Sequence, residues 1–296
     1  MRGAWVALSS SQMLLPVAKE AGYFETYGLE FDLTYIAGST TALAALLGGD
    51  IQALDLGGTT VVNAAAGGAD VSIIGIFLNQ IIFQVVSTPE VKTLADVRGK
   101  AVAVSKLGNT DHLVWHLIGS QQGWKDSDLH FVPAGDVAGQ LAMLQSGQAQ
   151  AAAMSPPNEV AFERAGFHVV YTLPEEEEKN VLAVSRKYAA EHRPEVLSLL
   201  KAGVAAASRL KHDAGFAKDV MRKYLKQTDQ ALLDAGYNAY AQLWITAPVP
   251  DAQAFTKVVN EAAIQNPKAK SVNLDTLLDP SFVKELDSSG FLKQFA

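Results

Sequence analysis

Five times in the first 160 residues the chain runs an apolar segment into a short polar loop that opens a helical pattern. The loops are Leu8-Ser9-Ser10-Ser11-Gln12, Ala37-Gly38-Ser39-Thr40-Thr41, Leu56-Gly57-Gly58-Thr59-Thr60, Lys106-Leu107-Gly108-Asn109-Thr110 and Met154-Ser155-Pro156-Pro157-Asn158. Short strands alternating with helices in this way define an α/β sheet with crossovers. In a parallel sheet such loops gather at the carboxyl ends of the strands, where ligands bind. Each helix start presents backbone N–H groups and a partial positive charge, which suits an anionic or strongly polar small molecule. No loop carries an obvious nucleophile, metal cluster or nucleotide fingerprint. The pattern therefore points to capture rather than chemistry.

At 296 residues the chain can form two modest domains or one large one. Its net charge of −7, with no basic stripe, argues against a nucleic-acid partner. Cysteine is absent, which removes disulfides, thiolate metal sites and cysteine catalysis together. No apolar run reaches the roughly 20 residues of a membrane span. The longest, 71–86, is broken by Gly75, Asn79 and Gln80 and reads as two buried strands with a polar joint. Met1-Arg2-Gly3 passes straight into a strand pattern, which leaves either a cytoplasmic protein or one whose leader has been removed.

The pattern predicts strands over 4–8, 30–35, 53–56, 71–76, 81–86, 101–104, 129–132, 149–154, 168–171 and 181–185. Glycines close several helices, at Gly22, Gly48-Gly49 and Gly147. From about Arg193 the rhythm changes: 194–211, 215–225, 228–243 and 251–265 read as consecutive helices, a helical tail. The one low-complexity spot, Glu175-Glu176-Glu177-Glu178, reads as a solvated loop in preference to a metal or partner site.

Several stretches, in order, resemble one family. They are 18–30 (Ala-Lys-Glu-Ala-Gly-Tyr-Phe-Glu-Thr-Tyr-Gly-Leu-Glu), Gly38-Ser39 with Ala42-Leu43, and Gly49-Asp50-Ile51-Gln52-Ala53. Thr93-Leu94-Ala95-Asp96-Val97-Arg98-Gly99-Lys100, Leu144-Gln145-Ser146-Gly147 and Pro156-Pro157 follow. Val184-Ser185-Arg186-Lys187-Tyr188, Pro194-Glu195-Val196 and Asp279-Pro280-Ser281-Phe282 complete the set. Together they resemble the type II periplasmic substrate-binding proteins of ABC importers, in the sulfonate/nitrate/taurine and thiamine-pyrimidine-precursor group. The resemblance implies a two-lobed periplasmic-binding-protein type II fold of α/β class with a helical C-terminal tail. It further implies lobe 1 from 1–87 plus 184–296, lobe 2 from 88–183, and hinge crossings near 87–89 and 181–184 that close on a ligand. Its partners would be a small solute and a membrane permease, acting on a monomer outside the cytoplasm, with no cofactor, no metal and no catalytic residue.

Ser10, Ser11 and Gln12 follow the first strand and read as ligand contacts, with capping of a helix at Met13 as the plain alternative. Gly38, Ser39 and Thr40, and likewise Gly58, Thr59 and Thr60, combine close backbone approach with a hydroxyl. Asn79 with Gln80 reads as a buried amide pair, a cleft wall or a satisfied core turn. Lys106, Asn109 and Thr110 open the second lobe's first helix, and the resemblance places small polar contacts at Asn109 and Thr110. Asp111 reads as a solvent-facing first-turn charge. His112 and His116, four apart, read as helix packing rather than a metal grip, since no third ligand is apparent. Ser155 and Asn158 read as pocket residues, Glu159 as a first-turn charge, and Tyr240 and Trp244 as tail packing in preference to ligand stacking.

Lys106 is the only basic side chain in the five loops. A multiply charged ligand would call for arginine clamps, so the loops suit a small organic monoanion, a sulfonate or carboxylate. A neutral heterocycle such as a pyrimidine precursor is the alternative. A same-fold enzyme is the rival class: pyrimidine synthases need cysteines that are absent here, whereas a dehydratase could run on Asn, Ser and Asp. A regulator's sensing module would need a DNA-binding segment, and none precedes Ala4.

Overall fold

Apolar runs too short for helices become strands, and glycine-rich joints turn them into helices. The structure, a computed structural model, describes residues 1–80, 82–173 and 180–295. The strands are β1 (Arg2–Trp5), β2 (Asp32–Tyr35), β3 (Ala53–Gly57), β4 (Ser72–Leu78), β5 (Gln84–Ser87), β6 (Ala101–Val104), β7 (His130–Pro133), β8 (Ala151–Met154), β9 (His168–Thr172) and β10 (Asn180–Val184). The Glu175-Glu176-Glu177-Glu178 run and Ile81 lie outside the described residues.

The chain divides into two compact units, Met1–Ile81 with Glu176–Ala296, and Ile82–Glu175. The first holds a five-stranded sheet in the order β2-β1-β3-β10-β4. Strands β2, β1 and β3 run parallel, while β10 runs antiparallel to both β3 and β4. Every residue of β3, β4 and β10 is buried: β3 and β10 are inner strands, and the edge strand β4 is covered by the tail, whose Ile245 and Asp279 N–H groups donate to the Phe77 and Ile73 carbonyls. The second unit repeats the plan in the order β7-β6-β8-β5-β9, with β7, β6 and β8 parallel and β5 antiparallel to its neighbours. In each sheet the three parallel strands therefore end on the same side.

All five loops join strand to helix. β1 leads to the 3-10 turn Ser10–Gln12 and the helix Leu14–Glu20; β2 leads to Ser39–Gly48 and β3 to Gly58–Ala66. In the second unit β6 leads to Thr110–Gln121 and β8 to Asn158–Arg164. Some boundaries move for local reasons. The strand expected over 4–8 stops at Trp5, because the Val6 N–H donates to Gln12 Oε1 instead of a strand. The expected amide pair is not buried: β4 ends at Leu78, which leaves Asn79 exposed and Gln80 half-buried.

The tail follows as the helices Arg193–His212, Ala214–Tyr224, Gln230–Tyr240 and Ala252–Gln265, with no strand between them. It belongs to the first unit's core. Arg193–His212 packs on Leu14–Glu20, and Ala252–Gln265 packs on Gly58–Ala66. Phe255 and Val258 join Leu54, Leu56, Ile73 and Val181 in one apolar cluster. Trp244 and Tyr240 are buried, as tail packing requires.

Gly203 lets the long tail helix approach the sheet closely. A Cβ there would lie 2.8 Å from Phe77 Cζ, and one at Gly75 would lie 2.9 Å from Cε2 of the same ring. Phe77 is fully buried. Gly203→Leu should therefore cost about 1–3 kcal/mol by overpacking. The urea unfolding midpoint checks this; an unchanged midpoint would mean that Phe77 does not fill the space.

Candidate functional site

In the first unit the strand ends are tied together by amides. The Ser10–Gln12 turn is fully buried. Ser9 caps it: the Ser11 N–H donates to Ser9 Oγ at 3.4 Å, and the two hydroxyls lie 3.1 Å apart. The capping alternative thus falls to Ser9, while the helix after Met13 has no side-chain cap. Gln12 Nε2 donates to Asn180 Oδ1 at 2.9 Å. Asn180 Nδ2 in turn donates to the Ser11 carbonyl at 3.1 Å and to Asp55 Oδ1 at 2.6 Å. Burial pushes the Asp55 carboxyl well above the usual carboxylate range, and the Asn180 hydrogen bond offsets this only in part.

Gly38 precedes the helix Ser39–Gly48 with φ of +88°, a conformation that favours glycine. Ser39 is buried, while Gly38 and Thr40 are half-buried. Gly58, Thr59 and Thr60 form the buried first turn of the helix Gly58–Ala66. Neither Gly38 nor Gly57 supplies a side-chain cap.

The second unit pins its loop from beneath. Asp111 accepts from the Ser105 N–H, from the Ser105 hydroxyl at 2.7 Å and from Gln140 Nε2 at 2.9 Å. The expected solvent-facing role is therefore corrected, because the carboxylate turns back into the loop that precedes its helix. Burial raises its pKa, and the Ser105 hydrogen bonds pull it back in part. Asn109 is buried and donates to Ser105 Oγ at 2.9 Å. Thr110 is half-buried and Lys106 exposed. As at Gly38 and Gly57, Asn109 supplies no side-chain cap to the helix it precedes.

Further along this unit, Ser155 and Asn158 are half-buried and linked, with Asn158 Nδ2 donating to the Ser155 carbonyl at 3.0 Å. Glu159 is buried rather than a solvated first-turn charge. Its Oε2 has no hydrogen-bond partner among the described residues, and burial raises its pKa.

His112 and His116 face each other with Nε2 atoms 3.2 Å apart, and both rings pack on Phe131. The Gly108 N–H donates to His112 Nδ1 at 3.1 Å. That bond puts the His112 proton on Nε2, aimed at His116, and a metal has no lone pair to take there. No cluster of three or more metal-ligating side chains occurs among the described residues. Burial, with the charge of His116 as a smaller cause, lowers the His112 pKa to about 4.

The network centred on Asp55 and Asn180 is the part that sequence reasoning missed. Its one legible signal was an acid inside the apolar run Ala53-Leu54-Asp55-Leu56.

The His112 shift carries a stability signature. Its folded pKa lies below its unfolded value, so the unfolded chain binds more protons as pH falls from about 6.5 to about 4. The stability that His112 contributes should therefore decline through that window. In His112→Asn, which still accepts from the Gly108 N–H, the decline should be smaller. Urea midpoints of the two proteins at pH 7 and pH 5 check this; identical pH dependence would contradict it.

The family model described as NMT1/THI5 like matches residues 10–212. No curated protein matches the chain. Solved structures share its fold. SsuA, the periplasmic aliphatic sulphonate binding protein of Escherichia coli, is 20% identical with a TM-score of 0.73, covering 95% of this chain and 92% of SsuA. NrtA, the periplasmic nitrate-binding protein of Synechocystis PCC 6803, is 12% identical with a TM-score of 0.77, covering 100% and 90%. A mutant of DszB in complex with biphenyl-2-sulfinic acid is 16% identical with a TM-score of 0.67, covering 97% and 99%. Likeness at these identities shows the fold alone, that of the periplasmic binding proteins. The match over residues 10–212, more than half of the sequence, makes this chain a member of the NMT1/THI5-like family.

Proposed function

We propose that the chain is the extracytoplasmic solute-binding component of an ABC importer, and that it captures a small organic monoanion, a sulfonate or carboxylate, without transforming it. The state of the helix starts carries this reading. Ser39–Gly48, Gly58–Ala66 and Thr110–Gln121 begin at strand-end loops without a side-chain cap. Among the tail helices, Ala214–Tyr224, Gln230–Tyr240 and Ala252–Gln265 are capped by Asp213, Asp229 and Asp251, whereas Arg193–His212 has no side-chain cap. The positive end of a helix dipole favours an anion, and a charge-assisted hydrogen bond there contributes about 1.5–3 kcal/mol.

The contacts would come from Ser10, Ser11, Gln12, Gly38, Ser39, Thr40, Gly58, Thr59 and Thr60 in one unit. Lys106, Asn109, Thr110, Ser155 and Asn158 would supply them in the other. Asn79 is the weakest of the expected contacts, since it is exposed at the end of β4. The two units would act as lobes that close because the ligand binds the closed state better. A membrane permease would then read that closed, monomeric form. SsuA and NrtA, which share the fold, are named for a sulfonate and for nitrate, and this supports the anion class.

A thermal-shift panel of alkyl and aryl sulfonates, carboxylates, nitrate and pyrimidines, on protein refolded free of carried-over ligand, tests the proposal. A ligand at about 1,000 times its Kd adds roughly 4 kcal/mol and should raise Tm by several degrees. A shift confined to sulfonates or carboxylates is expected. A shift with pyrimidines alone would replace the ligand class, and turnover of a bound compound would replace capture with an enzyme. For the bound anion, Ser39→Ala combined with Thr110→Ala should weaken affinity at least about tenfold with the circular dichroism spectrum unchanged, each lost bond being worth about 1 kcal/mol. Undiminished binding would remove both helix starts from the site.

A further inference from the structure

We infer that Asp55 is a specificity-determining residue of this capture site. It keeps its proton and offers Oδ2–H, beside the Trp5 indole N–H and the Ser10 and Thr60 hydroxyls, to a ligand group that accepts hydrogen bonds and brings no donor. The inference rests on the capture reading and names the chemistry of its ligand's head group.

The placement follows from strand register. Trp5 of β1 pairs with Asp55 of β3 in a parallel ladder, so their side chains leave the same face of the sheet side by side. Asn180 of β10 pairs with Gly57 and reaches Asp55 Oδ1 at 2.6 Å. Through Ser11 and Gln12 the same asparagine ties down the Ser10–Gln12 turn. Thr60 lies in the first turn of the helix that follows Gly57 directly. Register thus sets Trp5 beside Asp55, Asn180 links Asp55 to the Ser10–Gln12 turn, and Thr60 opens the helix that leaves β3.

Four polar atoms there are buried without a hydrogen-bond partner among the described residues: Trp5 Nε1, Ser10 Oγ, Asp55 Oδ2 and Thr60 Oγ1. Each such atom is costly to leave unsatisfied, whereas the amides around them are matched donor to acceptor. Asp55 is fully buried, and none of the ion pairs among the described residues includes it. An ionised carboxylate in that setting would lack a counter-charge, so the neutral acid is the stable form. Because Oδ1 accepts from Asn180, the proton sits on Oδ2.

An indole N–H and a protonated carboxyl can both donate, and the two hydroxyls can rotate to donate as well. The set matches a sulfonate or carboxylate oxyanion. A ligand ammonium or ring N–H would meet donors head-on.

Calorimetric titration of a panel anion into wild type, Asp55→Leu, Asp55→Asn and Trp5→Phe tests the inference. Asp55→Leu should lose affinity more than about tenfold, and Asp55→Asn, which keeps a donor at the Oδ2 position, should restore most of it. Trp5→Phe keeps an aromatic ring but removes the N–H together with part of the indole, so at least about a tenfold loss is expected there too, with the circular dichroism spectrum unchanged; this variant carries the test if Asp55→Leu fails to fold. The infrared difference between wild type and Asp55→Asn at neutral pH should contain the carbonyl stretch of a protonated acid. Variants that all bind like wild type would overturn this inference and leave capture standing. Asn as weak as Leu, together with carboxylate bands, would make Asp55 a charged acceptor and overturn it as well. Absence of binding by wild type to every anion in the panel would overturn the capture reading itself.

Discussion

A parallel strand pair cannot be closed by a tight turn, and that constraint organises both units. Each of the pairs β1–β2, β1–β3, β6–β7 and β6–β8 needs a crossover through a helix. Each crossover returns the chain to the end at which the parallel strands start, so the loops that open helices collect at the opposite end of each sheet. Where those helices are nine to twelve residues long and start without a side-chain cap, the backbone itself supplies the positive end of a dipole. Recognition can then be built with almost no cationic side chains, and Lys106 is the only one in the five loops.

Scarcity of charge extends beneath those loops. Asp55, Asp111 and Glu159 are turned into protein and His112 is partly covered, yet none of the four has a basic partner among the described ion pairs. Each is shifted towards its neutral form, with burial as the leading cause. Their hydrogen bonds divide them by role. Asp111 is saturated by Ser105 and Gln140 and holds a loop in shape. Asp55 has one oxygen engaged and one left over. The first arrangement is a positioning device; the second keeps hydrogen-bonding capacity in reserve.

The sequence made the scaffold legible because two signals coincide along it. Apolar runs of four to seven residues end at short polar joints, with Ser-Ser, Gly-Ser and Gly-Gly in the first unit and Lys-Leu-Gly-Asn and Ser-Pro-Pro in the second, so strand, loop and helix start are each legible locally, and the loss of strands after Arg193 marks the tail. Side-chain direction was not legible in the same way. A first-turn acid such as Asp111 or Glu159 can face solvent or fold back on the preceding loop, and only tertiary contacts decide. Apolar neighbours favour a buried Asn79, but the strand ends one residue earlier. Asn180 illustrates the farthest limit: it bonds residues 125 and 168 positions away, a relation that no local pattern encodes.

The central claim is capture of an intact monoanion by neutral donors. Its most direct measurement is a calorimetric titration of the tightest-binding panel anion at low and high salt, with the ligand recovered afterwards and identified by NMR. The account predicts a saturable 1:1 isotherm, unchanged ligand, and an affinity that falls less than about threefold from 0.02 to 0.5 M salt, since partly buried dipoles are screened far less than exposed charges. A fall of tenfold or more, or recovery of a transformed compound, would contradict it.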